Sequence, residues 1–270
     1  MKSNEWLTLG SHLILKKWCD ASDRNFQKQF NALETTQRQI LHSILQTSTF
    51  AKDKKVQNYE QFVKAFPATR YSAWREDIQR YREQKLSLSS SKLVRFQPTS
   101  GSSEQIKFIP YTKLFLDELD HAIAPWMASL YRKCPQLSSG THYWSVSWLP
   151  ESQREVLKDK NLNDDSALLG IGKRILSKFT QAVPSNVAFA ANADDALFAT
   201  ICYLVANRNL AMISVWSPTF ALQLLERLEL LQQDVIEVLN SGKWGNREAS
   251  LKEVTAPHSP ESAQDRKSVV

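Results

Sequence analysis

The chain has 270 residues, 42% of them hydrophobic, and a formal net charge of +6, enough apolar material for one large domain or two small ones. No apolar run approaches the ~18 residues that span a bilayer, and the opening MKSNEWLTLGSHL lacks the apolar core of a secretion signal, so the expected setting is cytoplasmic and off the membrane. The charge is uneven: residues 1–110 carry 18 Lys and Arg against 10 Asp and Glu, net +8, whereas residues 111–270 carry 16 against 18, net −2.

A basic first half suits a polyanionic ligand. Nucleic acid is not the expected one, because Arg75, Arg80, Arg82 and Lys85 alternate with Glu76, Asp77 and Glu83 as on a solvated helix face. Cys19, Cys134 and Cys202 are far apart and lack C-x-x-C spacing, so neither a disulfide framework nor a metal site is indicated. They read as reduced, buried thiols.

Residues 4–50 hold one glycine and no proline, and read as two helices broken near Asp20 to Asn25. Phe26, Phe30, Leu33, Ile40, Ile44 and Leu45 recur at near-helical intervals, which predicts a packed helical layer. Tyr59 to Phe66 and Tyr71 to Tyr81 predict two more helices around Pro67. Leu86 to Ser91, LSLSSS, reads as a mobile connection, ordered only when a ligand binds beside it.

Lys92 to Phe96 is a short β-branched and aromatic run that predicts a strand, and Pro98 is expected to end its ladder. The next residues are Thr99, Ser100, Gly101, Ser102 and Ser103, with Lys107 following. Four hydroxyl side chains around one glycine favour a tight polar loop whose N–H and O–H donors converge on an anion. The lysine adds a fixed positive charge. A Walker loop is excluded, since no second glycine precedes Lys107. The bland alternative is a serine-rich turn with a solvated lysine.

Downstream, Thr112 is placed to cap a helix in which Phe115, Leu119, Ile123, Trp126 and Leu130 share a face, with Pro125 a potential kink. His121 lies there without a carboxylate or cysteine partner and reads as structural or solvent-facing. Thr141 to Trp148 alternates as a strand should, closed by Pro150. Asp164 and Asp165 are adjacent rather than one helical turn apart and read as a cap or loop. Gly170, Ile171, Gly172 and Lys173 lack the third glycine of a dinucleotide fingerprint and read as a turn.

Ala193 to Asn207 predicts a helix, Leu210 to Trp216 a buried strand, and Thr219 to Leu231 a helix capped near Ser217 or Thr219 with Pro218 at its start. A strand, loop and helix in that order belong to a parallel α/β sheet, whose ligands lie off the carboxyl ends of the strands. Trp216 and Phe220 are therefore candidates for a substrate pocket, as is Trp126, against the alternative that they are core aromatics. Residues 241–270 have few large apolar side chains, two prolines and scattered charge, and read as a disordered tail.

The order Thr-Ser-Gly-Ser-Ser-x-x-Ile-Lys over residues 99–107 resembles the phosphate loop of adenylate-forming enzymes, with Glu104 departing from the usual Gly or Ser. Ile109 to Thr112, Gly140 to Pro150, Asp164 to Gly170, Ala182 to Val187 and Ile213 to Leu228 follow in order. Together these blocks resemble the auxin-responsive family of acyl acid amido synthetases, most of all its bacterial members, from about Phe62 to Leu239. The resemblance implies an α/β fold: a helical N-terminal layer on a mainly parallel sheet, part of the large domain of adenylate-forming enzymes. Residues 1–240 would form that part (helical 1–85, phosphate loop 97–107, α/β 108–240), with 241–270 outside the family pattern.

The resemblance further implies a ligase that takes ATP and Mg²⁺, activates a small carboxylic acid as acyl-AMP and conjugates it to an amino acid. Thr99 to Ser103 and Lys107 would hold the β- and γ-phosphates. The family's adenine-stacking segment, ribose-holding Asp and C-terminal lid are not identifiable in the chain. The expectation is therefore an N-terminal half, with a second chain supplying the remainder, or else a non-catalytic remnant that binds nucleotide weakly. No G-x-S-x-G or H-E-x-x-H offers a rival centre.

Overall fold

The computed structural model describes residues 2–51, 56, 58–98, 107–145, 148, 179–215 and 217–264. The chain divides into two compact units, Met1–Asp20 with Trp126–Val270, and Ala21–Pro125. The expected Thr99 to Ser103 loop, Trp216, Asp164 with Asp165, and the Gly170 to Lys173 turn lie outside the described residues. Helices and short sheets of both senses make a mixed α/β fold.

Helix α1 runs Lys2–Asn31 and α2 Leu33–Thr47. The expected break near Asp20 to Asn25 is absent; the interruption falls at Ala32, whose ψ of 46° leaves the helical range. Asp20 does not break the helix because it accepts from Lys16 one turn earlier, at 2.7 Å, a pairing that supports helix rather than turn. The expected packed layer is also corrected. Phe26, Phe30, Leu33, Ile40 and Ile44 are exposed, because helical spacing puts residues on one face without supplying a partner for it.

In the Ala21–Pro125 unit, α3 (Tyr59–Ala65) is capped by Asn58, whose side chain accepts from the Gln61 N–H at 2.9 Å. A 3-10 turn at Tyr71–Trp74 leads into α4, Arg75–Arg82. Phe50 stacks edge-on against both Phe66 and Trp74. The Leu86 to Ser91 segment, expected to be mobile, is tied to the end of α2: the Ser90 N–H donates to the Thr47 carbonyl at 2.8 Å, and Ser48 bridges to Ser89. Its serines take up backbone hydrogen bonds that a free linker would leave to water.

Strands β1 (Leu93–Pro98) and β2 (Phe108–Thr112) pair antiparallel. The ladder ends at Pro98, as expected, with Pro98 forming its last pair opposite Phe108. A terminal position needs no proline N–H, so the ring is tolerated there. From β2 the chain enters α5, Lys113–Lys133, with the Phe115 N–H reaching the Thr112 hydroxyl at 3.3 Å, as the capping argument required. Its buried positions are Asp120, Ala124, Met127, Ala128 and Tyr131, so Trp126 lies outside the buried face; His121 is exposed.

In the other unit, β3 (Thr141–Trp144) runs parallel to β4 (Leu210–Ser214), and His142 bridges in parallel to Gln181. Both strands stop sooner than expected. Gly140 precedes β3 where the strands converge: a Cβ there would meet the Asn209 carbonyl and the Ala211 Cβ at 2.5 Å each. Helix α6 (Ala193–Ala206) is capped by Asn192, and α7 (Pro218–Leu230) by Ser217. Helix α8 (Gln232–Ser241) ends on Gly242, at φ 66°, the left-handed conformation glycine takes without strain.

Of the segment expected to be a disordered tail, the described residues 241–264 are folded. A 3-10 turn at Gly245–Arg247 and a short helix α9 (Pro260–Gln264) follow α8, and Trp244, Leu251, Val254 and Ala263 are buried with Phe198, Val235 and Leu239. Composition misled because these apolar residues are sparse, yet each enters the core. Cys19 and Cys202 are buried and Cys134 is half-buried, all as free thiols. Among the described residues no helix is long and apolar enough to cross a membrane.

Candidate functional site

The register of β1 and β2 sets Pro98 opposite Phe108, so the two described residues that flank the Thr99 to Lys107 stretch of the sequence lie side by side. Tyr71 holds that pairing. Its hydroxyl accepts from the Phe108 N–H at 2.9 Å and lies 3.4 Å from the Phe108 carbonyl. The Arg82 guanidinium lies 3.6 Å from the centre of the Phe108 ring, and the Lys107 ammonium 5.9 Å from that of Tyr71. Two cations with apolar backing thus stand at the Pro98–Phe108 end of the hairpin.

That arrangement is suited to an anion. A guanidinium on an aromatic face keeps its edge donors for a ligand, and a flexible ammonium supplies a movable point charge. Lys107 is exposed and directly precedes β2. Arg82 and Tyr71 were not singled out from the sequence. Arg82 alternates with acidic neighbours and was read with them as solvated. Only pairing of residues far apart in the chain brings either to the hairpin.

A second feature lies in the Met1–Asp20 and Trp126–Val270 unit. A cavity of about 580 Å³ is lined by Trp148, Leu197, Thr200, Phe220, Arg227 and Leu230 among others. Trp148 follows β3 and Phe220 follows β4, so the cavity lies off the carboxyl ends of a parallel pair, where α/β sheets place ligands. Trp148 is anchored by its indole N–H to the Ala190 carbonyl at 2.9 Å. Arg227 at the wall pairs with Asp194 at 3.1 Å. Phe220 is where the sequence placed it, whereas Trp126 is exposed, lies edge-on to Trp144 and does not line the cavity. Among the described residues no cluster of His, Cys, Asp or Glu could hold a metal.

Two solved structures share the architecture. One, described as GH3.15 acyl acid amido synthetase, matches with a TM-score of 0.63 at 16% identity, covering 89% of this chain and 45% of that one. The other, AtGH3.15 acyl acid amido synthetase in complex with 2,4-DB, gives 0.65 at 15% identity, covering 92% of this chain and again 45% of that one. The chain therefore spans less than half the length of the solved relatives it matches, and identities this low speak to fold. No curated protein matches it in sequence. The GH3 family N-terminal domain matches residues 23–265, which takes in the β1–β2 hairpin, the cavity and the folded 241–264 segment expected to fall outside the family pattern. With nine-tenths of its length inside that match and its fold in agreement, the chain belongs to the GH3 family.

Proposed function

We propose that this chain is the nucleotide-phosphate and acid-binding part of an ATP-dependent acyl acid amido synthetase. The observation that carries the reading is the hairpin that sets Pro98 opposite Phe108 with the cations Lys107 and Arg82 at that end. Thr99, Ser100, Gly101, Ser102 and Ser103 would offer hydroxyl and backbone donors to the β- and γ-phosphates, with the two cations offsetting charge that builds up on the departing pyrophosphate. Mg²⁺, arriving with the nucleotide and bound through its phosphate oxygens, would share that charge.

The cavity beside Phe220 suits the apolar body of a carboxylic acid, with Thr200 and Arg227 as its polar groups. In the reaction, a carboxylate oxygen attacks the α-phosphorus and the bond to pyrophosphate breaks. The amine of an amino acid then attacks the acyl carbon, loses a proton, and AMP leaves. The chain's contribution is positioning and electrostatics; no covalent enzyme intermediate is needed.

A second reading concerns these residues taken alone, which match 45% of the length of the solved relatives. In it the chain binds nucleotide without turning it over, and a further polypeptide supplies the grip on adenosine that orients the α-phosphorus. Titration calorimetry tests the site itself: Mg·ATP is expected to bind more tightly than AMP, and Lys107→Ala to weaken ATP by roughly tenfold or more, the worth of one charge-assisted contact. Equal affinities for ATP and AMP, or no effect of Lys107→Ala, would remove the phosphate role. Carboxylate-dependent pyrophosphate exchange then separates the two readings. The purified chain is expected to show none, and to gain it when joined to the C-terminal part of a longer relative.

A further inference from the structure

The family match begins at residue 23, yet the most completely buried polar side chain of the described residues precedes it: His12, 0% exposed. Its Nε2 lies 2.7 Å from the Gly140 carbonyl and its Nδ1 2.8 Å from the Tyr131 hydroxyl. A second buried imidazole, His142 on β3, stands 4.6 Å away ring to ring, with its Nε2 3.0 Å from the Leu137 carbonyl. Thr8 donates to the Phe179 carbonyl at 2.7 Å, and Ser11 and Cys19 are buried on the same stretch of α1.

We propose that residues 5–20 of α1 are an acid-released clasp, latched to the amino end of β3 by two uncharged imidazoles and let go when these take up protons. Hydrogen-bond accounting carries the argument. A carbonyl oxygen only accepts, so each Nε2 carries its proton; the Tyr131 hydroxyl can donate or accept, and it is the complete burial of His12, which disfavours its charged form, that leaves Nδ1 unprotonated and accepting from the Tyr131 O–H. The latch is therefore made by neutral His12. A charge placed on either ring would sit in a dry site facing the other ring.

The groups around the pair offer a proton no compensation. From α1 come the buried Cys19 thiol and the Lys16 and Asp20 ion pair; from α5 come Tyr131 and Arg132; from β3 comes His142. The one carboxylate among them, Asp20, is already shared between Lys16 at 2.7 Å and Arg132 at 3.5 Å. Burial accordingly holds His12 below its ordinary value. Burial, with the neighbouring His12 adding to it, pushes His142 down to about 4.

The sign follows from linkage. Released imidazoles titrate near 6.5 and the latched ones lower, so closure is fully favoured above that value. It weakens as pH falls from 6.5 toward 4, by up to tenfold per pH unit for each imidazole. The clasp grips the amino end of β3, while the cavity lies past the carboxyl end. Release is thus expected to leave the cavity walls, α6 and α7, in place.

Hydrogen exchange of the 270-residue chain, corrected for intrinsic rates and followed by mass spectrometry from pH 7.5 to 4.5, tests this. Peptides from residues 5–18 should open at least tenfold more readily at pH 5.5 than at 6.5, while 193–206 keeps its protection. His12→Gln, whose amide still donates to the Gly140 carbonyl but does not titrate, should roughly halve the pH slope on a logarithmic scale. Tyr131→Phe, which removes the donor to Nδ1, should raise opening at pH 7.5 and leave the slope. A pH-independent response of 5–18, parallel loss of protection in 193–206, or an unchanged slope in His12→Gln would each overturn the clasp.

Discussion

The segment after α8 gives the most direct test of how the fold holds together. Leu251 is 0% exposed and Trp244 2%, and the Trp244 indole N–H donates to the Val254 carbonyl at 2.6 Å while its ring meets Phe198 edge-on. Leu251→Ala removes a fully buried side chain and leaves a hole that a close-packed core refills only in part, a cost of about 3 kcal/mol. Trp244→Phe keeps much of the ring but strands the Val254 carbonyl without its donor in a buried position, a cost of about 1–3 kcal/mol. At this chain length each kcal/mol lowers the melting temperature by roughly 2–4 °C. Urea unfolding followed by circular dichroism should therefore show both midpoints falling with the denaturant slope unchanged, Leu251→Ala the further of the two. If Leu251→Ala moved the midpoint by less than the equivalent of about 0.5 kcal/mol, the magnitude of a surface change, residues 241–264 would not belong to the core and the reasoning would fail.

Two further outcomes follow from the same unit. Burial pushes the Asp195 carboxyl up, but hydrogen bonds from Ser250, Arg247 and Asn192 and the Arg247 charge outweigh it and hold it below the usual carboxylate range; Arg247 also stacks 4.3 Å from the Phe198 ring centre. Stability from this group is present above its ordinary pKa and lost as pH falls through it, so Asp195→Asn should cost about 3 kcal/mol at pH 7, and calorimetric scans should show the gap from wild type narrowing by pH 3. Gly140→Ala should destabilise by about 1–3 kcal/mol, since its Cβ would meet both the Asn209 carbonyl and Ala211 at 2.5 Å; a melting temperature equal to wild type would mean that β3 and β4 do not converge there.

What the sequence made legible was what short stretches decide by themselves. Ser217 announces a helix start because its side chain satisfies one of the first free N–H groups, and that cap is in place at α7. The β1 run and Thr112 at the head of α5 are of the same kind. Illegible were features made by pairing across the chain. Tyr71 and Arg82 reach the hairpin only because α4 and the turn before it pack against β2, and nothing within a window of ten residues separates Arg82 from its solvated neighbours. Residues 241–264 failed for a related reason. Their apolar side chains follow no period of 2 or 3.6, so neither helix nor strand templates register them, although Trp244, Leu251, Val254 and Ala263 are buried.

Strand β3 gathers the consequences, because its two ends sit in opposite chemical settings. At its amino end Gly140 gives its carbonyl to a buried imidazole and His142 is held neutral by burial, so charge is excluded there. Past its carboxyl end Trp148 lines an open cavity whose wall carries Arg227. One short parallel strand therefore joins a site that tolerates no proton to a site that has a cation to offer. A change that charges the first acts on the seating of α1; a change that removes the second acts on what the cavity holds. Substitutions at His12 and at Arg227 should consequently be additive in stability, as expected for groups without shared partners. Thermodynamic coupling above about 0.5 kcal/mol in the double variant would mean that the strand transmits between its ends, and that the clasp and the cavity form a single device.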